Sequence, residues 1–292
     1  MKTFRDAIRR EDLVVTADLP LESTTSAPDI RSIVATLAPA VDAVQIDDNR
    51  DLPEHMSPLA AASIVLGSGL DAIVHLSCRD RNRIALRADI LGAAAMGVTS
   101  MVLARGEKFV DKQSVRAKGV FDTTATQLIA MASQSAVVNQ VPSSPEPFIG
   151  CFVTVFDPAE DWEATRIQEK LDAGARFLQT QPCLNAGLLR GYVDRLVQLK
   201  IMHRSSVIVD VPLLTSAHEA TTLKQAYQGA PIPDALVTRI AAAADPVAEG
   251  ISVCAEMLAE LHRMAGISGV NINYQGDSRH VVAAVREAHI AD

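Results

Sequence analysis

Short apolar, β-branched runs recur along the chain, separated by longer Ala-rich segments with helical spacing. Residues 13–17 (LVVTA), 43–46 (AVQI), 72–76 (AIVHL) and 100–104 (SMVLA) read as the first four strands. Residues 148–155 (FIGCFVTV), 177–180 (FLQT), 207–211 (VIVDV) and 270–273 (VNIN) read as the next four. Mostly hydrophobic runs of this length mark strands buried on both faces. Helices are predicted over 58–66, stopped by Gly67 and Gly69, over 82–96, closed by Gly97, over 161–173, closed by Gly174, and over 186–199. Further helices follow over 216–228, 233–243 and 247–264, and a last one runs to about Ala288. Alternating β and α elements imply a parallel sheet with helices outside it. Eight strands favour a closed barrel over an open sheet, so the expectation is an α/β protein, one catalytic (β/α)8 barrel over residues 1–292. The proline-rich stretch 139–147 reads as a surface loop before the fifth strand, not as a domain boundary.

Composition narrows the function classes. Hydrophobic residues make up 48% and charged residues 21%, which permits a large core and argues against disorder. The net charge of −8, with no basic stripe, argues against a nucleic-acid surface. No apolar stretch reaches the ~18 residues of a membrane span, and the first residues lack the apolar core of a signal peptide. Cys78, Cys151, Cys183 and Cys254 are far apart, with no CxxC pair. Neither a disulfide framework nor a zinc ribbon follows, and a reducing cytoplasm is the expected location.

In this fold the C-terminal ends of the strands carry the active site. Those positions hold Asp18, Asp47, Asp48, His75, Arg105 with Glu107, Asp157, Gln181, Asp210 and Asn273, an acid-rich set converging on one mouth. No strand-end lysine is found, which argues against a Schiff-base aldolase. A divalent-metal enzyme and a redox or group-transfer enzyme with an organic cofactor both remain open. There is no GxGxxG, Walker loop, HExxH or GxSxG, so a bound nucleotide is not held by a Rossmann fingerprint.

The segment from His75 to Glu107, HLSCRDRNRIALRADILGAAAMGVTSMVLARGE, resembles methylenetetrahydrofolate reductases, especially the short bacterial forms built of the catalytic barrel alone. MSPLAAASIVL (56–66), GVFDTTATQL (119–128), EKLDAGARFLQTQP (169–182), IPDALVTRI (232–240) and DPVAEGISVCAEMLAEL (245–261) resemble the same family in the same order. The resemblance covers nearly the whole chain. It implies a barrel enzyme, usually with FAD, that interconverts 5,10-methylene- and 5-methyltetrahydrofolate, with NADH, NADPH or another donor reducing the flavin.

Residue by residue, the resemblance implies the following roles. Asp18, in TADLP, stands where the family has its catalytic acid, here one methylene shorter than the usual Glu. The imidazolidine ring must open to an iminium before hydride arrives, and protonating the leaving nitrogen is general-acid work. Gln181 and Glu107 match residues that face the pterin, while Glu219 falls where a folate-contacting glutamine is found. Arg279 is the nearest match to a folate-contacting arginine, two residues beyond the position that Asp277 takes. His75, Arg105, Gly106 and Lys170 match flavin-side positions, Lys170 near the phosphates. Asp47, Asp48 and Asp157 occupy flavin-side positions where the family has other residues. Asp48 would bring a carboxylate close to a flavin phosphate, which is unfavourable unless it is paired. Two rival readings stay open on these departures: a flavin-independent, nicotinamide-linked reductase, and a non-catalytic folate-binding subunit. A homo-oligomer and an electron-transfer partner are both compatible with the sequence.

Overall fold

The computed structural model describes residues 2–10, 12–48, 55–108, 117–134, 146–227 and 230–290. Of the proline-rich stretch read as a loop, residues 139–145 lie outside the described residues. Eight parallel strands close into a barrel in chain order. They are β1 (Val14–Asp18), β2 (Ala43–Ile46), β3 (Asp71–Ser77), β4 (Ser100–Ala104), β5 (Phe148–Val153), β6 (Phe177–Thr180), β7 (Ser206–Leu213) and β8 (Gly269–Tyr274). Closure is made by β1 against β8, with Val14 opposite Gly269 and Thr16 opposite Asn271. The expected (β/α)8 barrel is therefore what the chain forms.

The helices are α1 (Phe4–Ile8), α2 (Ala27–Leu37), α3 (Pro58–Gly67), α4 (Arg83–Met96), α5 (Ala125–Ser133), α6 (Thr165–Asp172) and α7 (Ala186–Gln198). After β7 come α8 (Ala217–Ala226), α9 (Asp234–Ala242) and α10 (Pro246–His262), and α11 (Ser278–Glu287) ends the fold. The hydrophobic pattern did not reveal α1, α2 or α5. Both α2 and α5 open with capping boxes, Ser26 with Asp29 and Thr124 with Gln127, a local signal that periodicity alone passes over. The predicted helix over 161–173 starts later, at Thr165, because Ala164 takes a left-handed conformation (φ 54°). All four cysteines are buried thiols.

Two apolar layers result from strand alternation. Side chains pointing outward pack under the helices in one large cluster, from Val15 and Val44 through Ile272. Side chains pointing inward at the strand starts form a second, smaller cluster that includes Val14, Ala43, Ile73, Val102, Phe177 and Ile208. Helix α1 closes this end of the barrel. Phe4 sits fully buried against Phe177 (ring centroids 5.3 Å apart) and Phe148 (5.9 Å). Its backbone N–H donates to the Asp71 carboxylate at 2.6 Å, which fastens the plug to β3. Burial, set against that hydrogen bond, pushes the Asp71 carboxyl up.

The plug fills the bottom of the barrel with buried side chains and leaves the opposite mouth as the accessible end. Phe4→Ala should cost about 3–5 kcal/mol of folding free energy by emptying this volume. Chemical denaturation measures it, and wild-type stability in the variant would mean that α1 does not seal the barrel.

Candidate active site at the barrel mouth

Moving two residues up each strand from the apolar plug stays on the inward face. That step takes Val14 to Thr16, Ala43 to Gln45, Ile73 to His75, Ile208 to Asp210 and Gly269 to Asn271. All five are polar and buried. One further step reaches Asp18, Asp47, Ser77 and Asn273 at the mouth. The barrel interior thus changes from apolar to polar within a single layer.

The polar layer is one hydrogen-bonded belt. Asn271 Nδ2 donates to Asp18 Oδ1 at 2.8 Å and to Asp210 Oδ1 at 3.3 Å. With its amide nitrogen turned to two carboxylates, Asn271 presents Oδ1 to the Thr16 hydroxyl, which donates to it at 3.0 Å. The Thr16 oxygen accepts from Gln45 Nε2 at 3.1 Å. Gln45 Oε1 then faces His75 Nε2 at 2.8 Å. On the other side of the ring, His75 Nδ1 meets Asp47 Oδ1 at 3.1 Å. The belt runs from β7 through β8, β1, β2 and β3, and each member fixes the orientation of the next.

Above the belt lies a cavity of about 580 Å³, within the usual range for small-molecule sites. Seven of the residues picked out from the sequence line it: Asp47, Asp48, His75, Arg105, Gly106, Glu107 and Gln181. Phe152 contributes an aromatic wall, edge-on to His75 at 5.5 Å between ring centroids, and Tyr227 closes another side. Gly106 has φ +78°, and a Cβ there would stand 2.8 Å from Arg79 Cβ and 3.2 Å from Ser77 Cβ. Glycine is therefore required for the β4 exit to pass this close to the β3 exit. The buried Ser77 hydroxyl lines the cavity without a hydrogen-bond partner among the described residues.

Other sequence candidates are placed differently. Asp18 is half-buried at the end of β1, beside the cavity and joined to it through the belt. Gln181 lines the cavity, but its Oε1 accepts the Val155 N–H at 2.9 Å and its Nε2 reaches the Val155 carbonyl at 3.4 Å. Lys170 Nζ donates to the Phe152 carbonyl at 2.8 Å, tying α6 to β5. Glu219 folds back on the start of α8, accepting from the Thr215 N–H and hydroxyl, both at 2.7 Å. Arg279 is exposed and paired with Asp277, and Asp157 is exposed on the loop after β5. Neither Lys170, Glu219, Arg279 nor Asp157 is brought to the cavity.

Sequence reasoning missed Thr16, Gln45 and Asn271, and gave Asp210 no role. A signal was present: each is a polar residue on the inward face of an otherwise apolar strand, and three of the four precede a strand-end polar residue by two positions. No three His, Cys, Asp or Glu residues come together to hold a metal ion among the described residues. No helix among them is long and apolar enough to cross a membrane.

Asp48 is held firmly. It accepts the Ser77 N–H at 2.7 Å and a bidentate pair from Arg81 at 2.7 and 2.8 Å. Arg81 also reaches Asp89 at 2.9 Å, so it links the β2 exit to α4. Arg81→Ala would leave the Asp48 carboxylate buried without its cation, at a cost of about 3 kcal/mol. Thermal or urea denaturation should show that loss, and the double variant with Asp48→Asn should recover most of it. Equal stability of R81A and wild type would contradict the pairing.

Comparison with known proteins follows the same lines. A family model described as methylenetetrahydrofolate reductase matches residues 40–281. A solved protein from Clostridium thermocellum that binds two copies of 5-methyl-5,6,7,8-tetrahydrofolic acid is similar in structure, with a TM-score of 0.63 and 14% identity over 97% of this chain and 96% of that one. Oxaloacetate acetylhydrolase in complex with oxalate has a TM-score of 0.53 and 11% identity, over 92% of this chain and 78% of that one. A 2,3-dimethylmalate lyase has 0.52 and 13%, over 97% and 81%. At these identities the likenesses speak for the fold. No curated protein matches the chain.

Proposed function

The chain belongs to the methylenetetrahydrofolate reductase family, and on that premise we propose that it interconverts 5,10-methylenetetrahydrofolate and 5-methyltetrahydrofolate at its barrel mouth. The observation that carries this reading is the Asp18 carboxyl. Burial first, and then the charge of Asp210, push it up to about 8, although its hydrogen bond from Asn271 acts the other way. A carboxyl that keeps its proton at neutral pH can protonate the leaving nitrogen of the imidazolidine ring. Ring opening gives an iminium at the one-carbon unit, and hydride addition there gives the methyl group.

A folate ligand is supported by the similarly folded Clostridium thermocellum protein, which binds 5-methyltetrahydrofolate. At the cavity wall, Glu107 is the acceptor for the donor edge of the pterin, and the Ser77 hydroxyl offers a further hydrogen bond beside it. Gln181 takes part by holding Val155, and so the end of β5, in place. Phe152 and His75 supply the flat walls that a bicyclic ring needs. Glu219 and Arg279 are left out of the folate contacts, because both side chains are engaged away from the cavity.

Among the described residues, those around the mouth do not fit a resident FAD. Its diphosphate calls for cations or free backbone donors. Here Arg79 is engaged with Asp80 and Arg81 with Asp48 and Asp89, while Lys170 is turned to the Phe152 carbonyl. Arg105 lies over the Phe121 ring, 5.1 Å from its centroid. Asp47, Asp48 and Glu107 bring three carboxylates to the same cavity. This arrangement favours direct hydride transfer from NADH or NADPH. A dinucleotide that visits as a substrate can leave its diphosphate in solvent at the open mouth.

Asp18→Asn should lower turnover of 5,10-methylenetetrahydrofolate with NADH or NADPH by roughly 10²-fold or more, while 5-methyltetrahydrofolate binding by calorimetry is retained. Unchanged turnover in the variant would remove Asp18 from the chemistry. A wild-type protein that binds 5-methyltetrahydrofolate but turns over neither nicotinamide would be a folate-binding subunit instead.

A further inference from the structure

We propose that the protein carries a second ligand site, at the end of the barrel opposite the mouth, that binds a nucleoside phosphate. The site does not depend on the folate reading above.

The site is a cavity of about 390 Å³ at the strand starts, beside the apolar plug. That volume falls in the range of small-molecule sites. Helix α1 forms one wall, through Arg5 and Ile8, with Arg9 at its end. The entries to β5, β6 and β7 form the others, through Phe148, Arg176 and Ser206. A 3₁₀ turn before β7 (Ile201–His203) brings Arg204 to the rim. Gly174, with φ +123°, lets the turn between α6 and β6 lie against the end of α5, where a Cβ would collide with Ser133. Glycine is needed to close this wall.

Charge sets the cavity apart. The chain as a whole carries −8, yet the cavity is lined by Arg5, Arg9, Arg176 and Arg204 against one carboxylate, Glu146. Residues 135–145, which precede Glu146 in the chain and lie outside the described residues, contain no acid. Neighbouring acids do not cancel the arginines. Asp6 acts on Arg9 and Arg5 through space, but its Oδ2 is bound by the Thr3 hydroxyl and N–H. Asp172 meets Arg204 at 2.6 Å in a pair that is well exposed, and such pairs hold weakly. Arg5 reaches only the backbone carbonyl of Glu146, at 3.0 Å. Arg176 uses Nη1 on the Leu171 and Ala175 carbonyls, which leaves Nε and Nη2 for another acceptor. Arg9 is exposed and makes no ion pair among the described residues.

Guanidinium groups that meet from four chain segments match the several oxygens of a phosphate. The rest of the lining is apolar: Ile8, Pro147, Phe148 and Met202. Phe148 is fixed there by stacking on Phe177, with ring centroids 5.1 Å apart. A flat ring suits that side of the cavity, so phosphate and nucleoside find separate partners. A ligand here bridges α1 to the entries of β5, β6 and β7, and its binding stabilises the folded chain by mass action.

AMP is the probe, followed by calorimetry and by the melting temperature of the full chain. Wild type should bind one AMP and melt at a higher temperature with it. Arg9→Glu and Arg204→Glu alter exposed side chains and should each weaken AMP binding roughly tenfold or more. Arg9→Ala, a milder change that should also weaken binding, covers the case in which a charge reversal does not fold, which circular dichroism reports. Arg105→Ala, at the mouth, should leave AMP binding unchanged. No AMP binding to wild type, or equal binding in the Arg9 and Arg204 variants, would overturn the site. Loss in Arg105→Ala alone would move AMP to the mouth and overturn it as well. Adenosine bound as tightly as AMP would remove the phosphate from recognition and sink the proposal. If AMP behaves as expected but wild type turns over no folate, this site stands and the folate reading falls.

Discussion

The interaction on which the site depends is the hydrogen-bonded belt Asp210–Asn271–Thr16–Gln45–His75–Asp47. Polar side chains in the middle of a barrel are costly unless each finds its partner. Here the partners lie on neighbouring strands, at positions fixed by the barrel register. The belt therefore holds only if the strands close in one register, and the register places the acids at the mouth. The apolar plug of Phe4, Phe148 and Phe177 below it matters for the same reason. It buries the strand starts, so the polar layer faces the cavity only on its upper side.

The fold was legible because its signal is repetitive. Eight apolar runs separated by helical segments leave few alternatives, and errors at element ends do not change the topology. The family was legible through ordered motifs such as ARGE and LDAGA, and the family match over residues 40–281 agrees. The site was legible only in part, for a physical reason. Asp47, Asp48, His75 and Glu107 stand at or next to strand ends, where position alone assigns them to the mouth. Thr16, Gln45 and Asn271 lie inside strands whose outward neighbours are all apolar, so single-residue reading takes them as incidental. Their role depends on pairing across strands, which sequence spacing does not encode. Lys170, Glu219 and Arg279 illustrate the converse. The family resemblance assigns them to the site, but each side chain finds a nearer partner in its own surroundings.

Among the described residues, the mouth sets the Asp18 carboxyl, pushed up by burial, beside a cavity that carries Asp47, Asp48 and Glu107 together with Arg79 and Arg105. That electrostatic character suits a pterin, whose ring presents donors, better than a tightly held diphosphate. It also accounts for Arg81. The Asp48 carboxylate next to the cavity is stabilised by Arg81 and the Ser77 backbone, and it orders the β3 exit in return.

The most direct measurement follows a label. The purified protein, freed of added flavin, is given 5,10-methylenetetrahydrofolate and NADH or NADPH deuterated at C4 on one face or the other, and the methyl group of the product is analysed by mass spectrometry. Direct transfer predicts that deuterium from one face appears in the methyl group. Passage through a flavin would exchange the label with solvent at the flavin nitrogen, so an unlabelled methyl group formed from both deuterated cofactors would contradict the account.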